Sequence, residues 1–158
     1  MFETKRCFIN TFQKSDYIDV KKLYVNQEVR KFLGGIRQED SIEVALGEML
    51  NSSDDSFYWV VREKYTDIFI GLVSLDPHHE GSYLEISYQL LPNWWGKGYA
   101  TEVVKLIIHY ALNELDLTKV VAETQTANKS SCRLLGRVGM ELERNIIRDL
   151  VLNKRFIQ

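Results

Sequence analysis

The hydrophobic pattern of the chain changes abruptly near its middle, and this change restricts the fold more than any other feature. Three runs rich in aromatic and β-branched residues, separated by short polar turns, span residues 57–61, 68–75 and 83–91. They predict three antiparallel strands in a meander. From Ala100 to Leu115 the apolar residues recur at three-to-four spacing instead, which predicts a helix with one apolar stripe. That stripe requires a sheet to pack against.

The flanking segments extend this pattern into an α/β order. Before the meander we predict a strand at 7–11, a helix capped by Ser15 or Asp16, a loop or broken helix at 26–38, and a helix capped by Ser41. After the central helix we predict a strand at 119–124, a helix at 129–138 closed by Gly139, and a strand at 142–152 that turns at 153–154 into a short last strand. The order βααβββαβαββ predicts a mixed, mostly antiparallel sheet flanked by helices.

Length and composition indicate one soluble domain spanning 1–158. Hydrophobic residues make up 45% of the 158 residues, and 20 Lys and Arg against 22 Asp and Glu give a net charge of −2. This balance provides no basic surface for nucleic acid. No segment predicts a signal peptide or a membrane span, and Cys7 and Cys132 lie too far apart in sequence for a zinc motif. We therefore expect a cytoplasmic protein without nucleic-acid or membrane partners.

The turn between the third meander strand and the central helix carries the strongest functional signal. It reads Trp94-Trp95-Gly96-Lys97-Gly98-Tyr99-Ala100-Thr101. Small residues allow the main chain to approach a ligand closely, and the unpaired amides of a first helical turn favour an anion such as a phosphate. A tight turn whose glycines serve only its dihedral angles would have the same pattern. Lys97 is either a contact to this anion or a solvated charge.

This segment resembles motif A of the GNAT superfamily of N-acetyltransferases, Q/R-x-x-G-x-G/A, with Gly98 and Ala100 at its two small positions. Trp95 replaces the usual Gln or Arg, as in the branch that resembles ribosomal-protein-alanine N-acetyltransferases (Rim-like). Residues 128–140 are similar to motif B, N-x-x-S-x-x-L-L/Y-x-x-x-G-F, with Met140 in place of Phe. The resemblance implies an acetyltransferase of primary amines with acetyl-CoA as co-substrate and no metal.

The resemblance also implies where acetyl-CoA binds. Its pyrophosphate would contact the segment formed by Trp95, Gly96, Lys97, Gly98, Tyr99, Ala100 and Thr101. Its pantetheine would lie where the strand before motif A separates from the next strand, against Leu90, Leu91, Asn128 and Ser131. The acceptor amine, either a protein N-terminus or a small molecule, would bind near Glu28 and Trp94. The family also allows a homodimer.

For the general base, Glu85 is the first candidate because it stands within an otherwise apolar strand, where a carboxylate can take a proton directly or through water. A solvated charge on the strand face is the alternative reading. Glu28 and Glu123 are the other candidate bases. Glu28 lies in the region that lines the acceptor site in this family, whereas Glu123 is also compatible with a surface charge on the sheet.

For the general acid, many family members use a Tyr at the position of Leu135, which has no proton to give. Ser131 matches the serine to which the Rim-like branch assigns this role, so the resemblance implies Ser131 as the donor to the thiolate, unless it only satisfies the amides at the start of its helix. The substitution at Leu135 keeps a non-catalytic acyl-CoA-binding module as the alternative to an enzyme. His78-His79-Glu80 is a weak metal candidate, because adjacent side chains in a polar turn are usually solvated.

Overall fold

The computed structural model of the protein describes residues 1–77 and 83–158. The segment His78-His79-Glu80 lies outside the described residues. The strands are β1 (Phe2–Glu3), β2 (Cys7–Thr11), β3 (Phe57–Glu63), β4 (Phe69–Pro77), β5 (Leu84–Leu90), β6 (Val120–Gln125), β7 (Glu141–Arg148) and β8 (Val151–Ile157). The helices are α1 (Tyr17–Tyr24), α2 (Gln27–Arg30), α3 (Glu39–Leu50), α4 (Tyr99–Asn113) and α5 (Lys129–Arg137).

The strands form one sheet in the order β1-β2-β3-β4-β5-β6-β8-β7. Every neighbouring pair is antiparallel except β5 and β6, which run parallel because α4 crosses between them. A parallel pair requires such a crossover, whereas antiparallel strands need only a turn. The predicted mixed, mostly antiparallel sheet flanked by helices is confirmed. The predicted order has no counterpart of β1, which pairs with β2.

Helices cover both faces of the sheet, and the alternation of side chains along each strand assigns core residues to one face or the other. Trp59 and Val73 belong to the core beneath α4 and α5. Val60 and Leu72, their neighbours in sequence, belong to the core beneath α1, α2 and α3. The predicted apolar stripe of α4 is confirmed, since its buried residues are Val103, Val104, Ile107, Ile108 and Ala111.

The predicted start of α3 is wrong. The helix begins at Glu39, with Gln38 rather than Ser41 as its N-cap residue. The Ser41 hydroxyl accepts a hydrogen bond from Arg37 Nε at 2.8 Å, so it lies within the first turn and satisfies a guanidinium instead of a helix amide. A polar residue near a helix start is thus not sufficient to locate the cap.

The predicted final turn and the short last strand are also wrong. The chain reverses at Asp149 and Leu150, both of which have positive φ (48° and 66°), and Arg148 pairs with Val151 across this two-residue turn. Positive φ at both central residues is the hairpin geometry that suits the twist of two antiparallel strands. Asn153, where we predicted the turn, is buried inside β8. The last strand has seven residues and pairs with β6 on one side and β7 on the other.

Candidate active site

β5 and β6 begin side by side and then separate. Their pairing is limited to Leu84 with Val120 and Glu85 with Val121, although both strands continue well beyond these residues. β5 remains paired with β4, and β6 with β8, so the opening lies between two intact parts of the sheet. Main-chain groups that a regular sheet would pair across β5 and β6 therefore border a cleft. This is the separation of strands that the resemblance implied.

Glu85 lies at the closed end of this cleft. It is the last β5 residue in register with β6, and its half-buried carboxylate accepts a hydrogen bond from the main-chain N–H of Glu123 on β6. On its other side Glu85 is in register with Asp76 of β4. The Glu85 carboxylate thus occupies the point at which the two strands part.

The surroundings of Glu85 change its acidity. Burial and, after it, the negative charges of Glu123 and Asp76 together raise the pKa of Glu85 to about 7, while the Glu123 N–H and Arg148 oppose the effect. A carboxyl group with a pKa near neutrality exchanges protons readily at physiological pH. Glu85 therefore combines a position at the strand separation with the acidity of a general base.

Tyr88 and Ser131 join the two walls of the cleft. The Tyr88 hydroxyl and Ser131 Oγ lie 2.6 Å apart, which is a short hydrogen bond. Tyr88 shares its strand face with Ile86 and Leu90, which are buried in the core beneath α4, so it lies on the opposite face of β5 from Glu85. Ser131 is in the first turn of α5, the helix that follows β6. The Tyr88–Ser131 pair and the Glu85 side chain thus lie on opposite faces of the sheet.

The start of α5 is fixed by Asn128. This residue is the N-cap, and its Oδ1 accepts a hydrogen bond from the Ser131 N–H at 3.2 Å. The main-chain amide of Ser131 is therefore satisfied by Asn128, and its hydroxyl is used for Tyr88. Leu135, one turn later, is 1% exposed and belongs to the core beneath α4.

The loop from β5 to α4 exposes main-chain amides beside the cleft. Gly96 and Gly98 have φ values of +70° and +83°, a region that glycine adopts at least cost. The first helical hydrogen bond runs from the Glu102 N–H to the Gly98 carbonyl. The amides of residues 99–101 precede that bond, at the positive end of the helix dipole. Because this loop continues from the end of β5, an anion bound to it would lie at the open end of the cleft.

Glu102 attaches this loop to the β1–β2 turn. Its carboxylate accepts hydrogen bonds from the Arg6 N–H and Arg6 Nε, both at 3.0 Å, and from the Thr4 hydroxyl. Arg6 also stacks on the Tyr99 ring, 3.9 Å from its centroid, and reaches the space beside Gly98. Burial opposes ionisation of Glu102, but the hydrogen bonds from Thr4 and Arg6 prevail and lower its pKa. The first turn of α4 is thus held in place from outside the helix.

We expect Glu102→Ala to lower the free energy of unfolding by about 2 kcal/mol, because it removes several hydrogen bonds to one partly buried charge. Urea denaturation measures this loss. Since the pKa of Glu102 is lowered in the folded state, its contribution is present above the usual carboxyl pKa and should disappear as the pH falls through the folded value. Glu43→Ala, at an exposed carboxylate of α3, is the control; equal losses for the two variants would contradict this role.

Several residues predicted to contact acetyl-CoA or the acceptor amine form hydrogen bonds or packing contacts within the protein. The Leu91 N–H donates to the Ile70 carbonyl, and the Leu91 carbonyl accepts from the Trp94 N–H, so both main-chain groups of Leu91 are already used. The Leu90 carbonyl accepts from Trp95 Nε1 at 2.8 Å, which anchors the loop to β5. Lys97 is exposed, and its Nζ donates to the Asn93 carbonyl at 2.8 Å. Trp94 packs edge-on against Tyr99 and against the core beneath α4.

The other two carboxylate candidates differ in their surroundings. Glu123 lies beside Glu85, but its side chain forms an ion pair with Arg148, with Arg148 Nε 3.1 Å from Glu123 Oε1. Glu28 is exposed on α2. The loop after α2 reaches the end of β6, because Gln125 Nε2 donates to the Phe32 carbonyl at 3.0 Å. The structure therefore brings the α2 region to the β6 wall of the cleft. Glu85 lies at the closed end of the cleft, the glycine loop lies at its open end, and Ser131 lies between them at the start of α5.

Three polar residues of this region, Tyr88, Asp76 and Tyr58, were not predicted from the sequence. Tyr88 reads as an ordinary strand aromatic, and its partner Ser131 is distant in sequence. Asp76 lies beside Glu85, and its carboxylate accepts a hydrogen bond from the Tyr58 hydroxyl. Burial and the Asp76 charge raise the pKa of Tyr58 to about 12. One signal was available for Asp76: it is a carboxylate at the end of an apolar strand, as Glu85 is near the start of the next.

Comparison with known proteins identifies the family. Residues 6–141 match the family model described as an acetyltransferase (GNAT) domain. The chain belongs to the GNAT acetyltransferase family. Two Bacillus subtilis relatives, the uncharacterized N-acetyltransferases YnaD and YoaA, are each 26% identical to it; the matches cover 89% and 90% of this chain and 82% and 84% of the relatives. The Rim-like branch within this GNAT family stays a prediction.

Solved GNAT structures share the fold. A Bacillus anthracis acetyltransferase aligns with a TM-score of 0.86 at 20% identity, over 99% of this chain and 96% of that one. A Vibrio cholerae spermidine N-acetyltransferase, solved with CoA and spermine, aligns with a TM-score of 0.83 at 17% identity, over 96% and 94%. Within residues 1–77 and 83–158, no three His, Cys, Asp or Glu side chains are grouped as metal ligands would be. No described helix has the length and apolarity to cross a membrane.

Proposed function

We propose that the protein transfers the acetyl group of acetyl-CoA to a primary amine, by direct attack of the amine on the thioester while both substrates are bound. The observation that carries this proposal is the position of Glu85, a half-buried carboxyl with a pKa of about 7, at the point where β5 and β6 separate. Reaction at this point requires a neutral amine, a polarised carbonyl and a proton for the leaving thiolate.

The cleft and the loop fit the two ends of acetyl-CoA. The exposed amides of residues 96–101 suit the pyrophosphate, and the main-chain groups left unpaired between β5 and β6 suit the amides of pantetheine. The net charge of −2 offers no basic surface for this anion, so the loop amides are its main binding determinant. No resident metal or prosthetic group is needed for the reaction.

On the acceptor side, Glu85 takes the proton of the attacking amine, directly or through one water molecule. Gln89 lies on the same face of β5, and its Oε1 is buried without a hydrogen-bond partner among the described residues. An amine or amide N–H of the acceptor would satisfy this oxygen. The α2 region with Glu28, and the loop with Trp94, border the approach to this side. Ser131 protonates the thiolate from the opposite side.

A panel experiment tests the proposal. We expect the purified protein to bind acetyl-CoA in calorimetry and to release free thiol with at least one member of a panel of polyamines, amino sugars, amino acids and peptides with free N-termini. Peptides blocked at the N-terminus separate the two acceptor classes. Binding without thiol release from any member would favour the alternative, a non-catalytic acyl-CoA-binding module, and would overturn the proposed activity.

A further inference from the structure

The position that carries the acid in related enzymes holds a core leucine here. Leu135 is 1% exposed and packs beneath α4. Ser131 faces the cleft, but a serine hydroxyl is a much weaker acid than the thiol that forms when it protonates the thiolate. On its own, Ser131 would have to develop alkoxide character as it gave up its proton. The proposed reaction therefore needs a second group that returns a proton to Ser131.

Tyr88 is placed to do this. Its hydroxyl lies 2.6 Å from Ser131 Oγ, within the short range expected of a strong O–H to O hydrogen bond. The two residues approach from opposite walls of the cleft, Tyr88 from β5 and Ser131 from the start of α5. The Ser131 amide is already satisfied by Asn128, so the Ser131 hydroxyl is not needed to cap the helix.

The surroundings of Tyr88 determine the pKa of its hydroxyl. Burial raises the pKa of Tyr88; the hydrogen bond to Ser131 and the charge of Arg137 lower it, and Cys132 raises it. Cys132 and Arg137 both belong to α5, and the Tyr88 ring packs against the apolar core beneath α4. Tyr88 is thus a protonated phenol at neutral pH, with one short hydrogen bond that leads towards the cleft.

We propose that Tyr88 is the proton source for the leaving thiolate and acts through Ser131. This inference rests on the proposed function. When the amine nitrogen has bonded to the carbonyl carbon and the C–S bond breaks, the sulfur takes the bonding electron pair and the Ser131 proton. Ser131 Oγ takes the Tyr88 proton in the same step. The proton that Glu85 removed from the amine balances the one that Tyr88 supplies, and solvent exchange restores both groups after the products leave.

Tyr88 does not touch the reacting atoms in this scheme, so it is a positioning and relay residue, and the test must separate these roles from a structural one. We expect Tyr88→Phe and Ser131→Ala each to lower kcat about 100-fold, with little change in the dissociation constant of acetyl-CoA. Because both variants interrupt the same relay, the double variant should fall no further than either single variant. Losses that multiply in the double variant would overturn the relay.

A second measurement addresses the phenol itself. Fluorotyrosines at position 88 retain the size of the side chain but make the hydroxyl more acidic, and kcat should rise as the acidity rises. A kcat that does not change across this series would overturn the role of proton source even if Tyr88→Phe is unstable. Tyr110→Phe, a partly buried Tyr on α4, is the control that should retain wild-type kcat. A wild-type protein that binds acetyl-CoA but releases no thiol would instead refute the proposed function.

Discussion

Glu85→Gln should lower kcat by about 1,000-fold while leaving acetyl-CoA binding nearly unchanged, because the amide has the shape of the carboxyl but cannot take a proton from the amine. Steady-state thiol release with the acceptor identified by the panel measures kcat, and calorimetry measures binding. The loss should be this large because the Glu85 carboxyl stands at the separation of β5 and β6 and has a pKa of about 7, which suits proton transfer from the amine.

The pH dependence of kcat provides an independent check on Glu85. A general base works in its deprotonated form, so activity should be full above the pKa of about 7 and decline as the pH falls through that value. Glu85→Gln should abolish this dependence. Glu123→Gln removes a negative neighbour that raises the pKa of Glu85, so it should shift the profile to lower pH.

The other carboxylates supply the outcome that would refute this assignment. Glu28→Gln should change KM for the amine and preserve the pH profile, since Glu28 is exposed on α2, the region proposed to border the acceptor side. If Glu123→Gln or Glu28→Gln abolished the profile while Glu85→Gln retained it, the base would be the other carboxylate. The ion pair of Glu123 with Arg148 makes that outcome unfavourable, because Arg148 already donates to both oxygens of the Glu123 carboxylate.

Gly98→Asp should weaken binding of acetyl-CoA by about 100-fold, because it places a negative charge next to the amides that would hold the pyrophosphate. Gly98→Asn is the matched control. Asn has the same shape as Asp, tolerates the φ of +83° better than most residues, and carries no charge. Any new side chain there approaches Arg6 Nη2, 3.2 Å from the ideal Cβ position, and that flexible guanidinium can move. The difference between the Asp and Asn variants thus isolates the charge.

A donor without a pyrophosphate tests the same point from the ligand side. The thioester S-acetyl-N-acetylcysteamine has the reacting end of acetyl-CoA but no phosphate, so Gly98→Asp and Gly98→Asn should use it equally well. Equal dissociation constants of the two variants for acetyl-CoA, measured by calorimetry, would show that the loop amides do not bind the pyrophosphate.

The sequence predicted the parts of this protein that depend on local pattern. The meander and the stripe of α4 are periodic, and the glycines at 96 and 98 mark a backbone that requires positive φ. The hairpin at Asp149 and Leu150 escaped prediction because Leu150 is an unusual choice for positive φ, although Asp149 is a common one, whereas Asn153 and Lys154 have the polarity of a turn. Pairing of β8 on both sides outweighs that local signal.

Parts of the site that depend on distant residues were less accessible. Glu85 was found because a carboxylate inside an apolar strand is unusual, but its pKa depends on its burial and on charged neighbours such as Asp76 and Arg148, which come from other strands. Tyr88 has no distinguishing local feature, since aromatic residues are common in strands. The proposed role of Tyr88 depends on its contact with Ser131, and α4 and β6 lie between these two residues along the chain.

The narrow contact between β5 and β6 also bears on how the molecule opens. Among the described residues, two residue pairs join the β1–β5 part of the sheet to the β6–β8 part by strand pairing, and the other contacts are packing under α4 and α5 and a few side-chain hydrogen bonds. Such a seam is expected to open locally at lower free energy than the continuous ladders on either side. Main-chain amides of β6 that face the seam should therefore exchange with deuterium faster than those bonded to β8. A ligand that spans both walls of the cleft would slow that exchange. The exchange rate of these amides would therefore measure ligand binding in the cleft without any catalytic turnover.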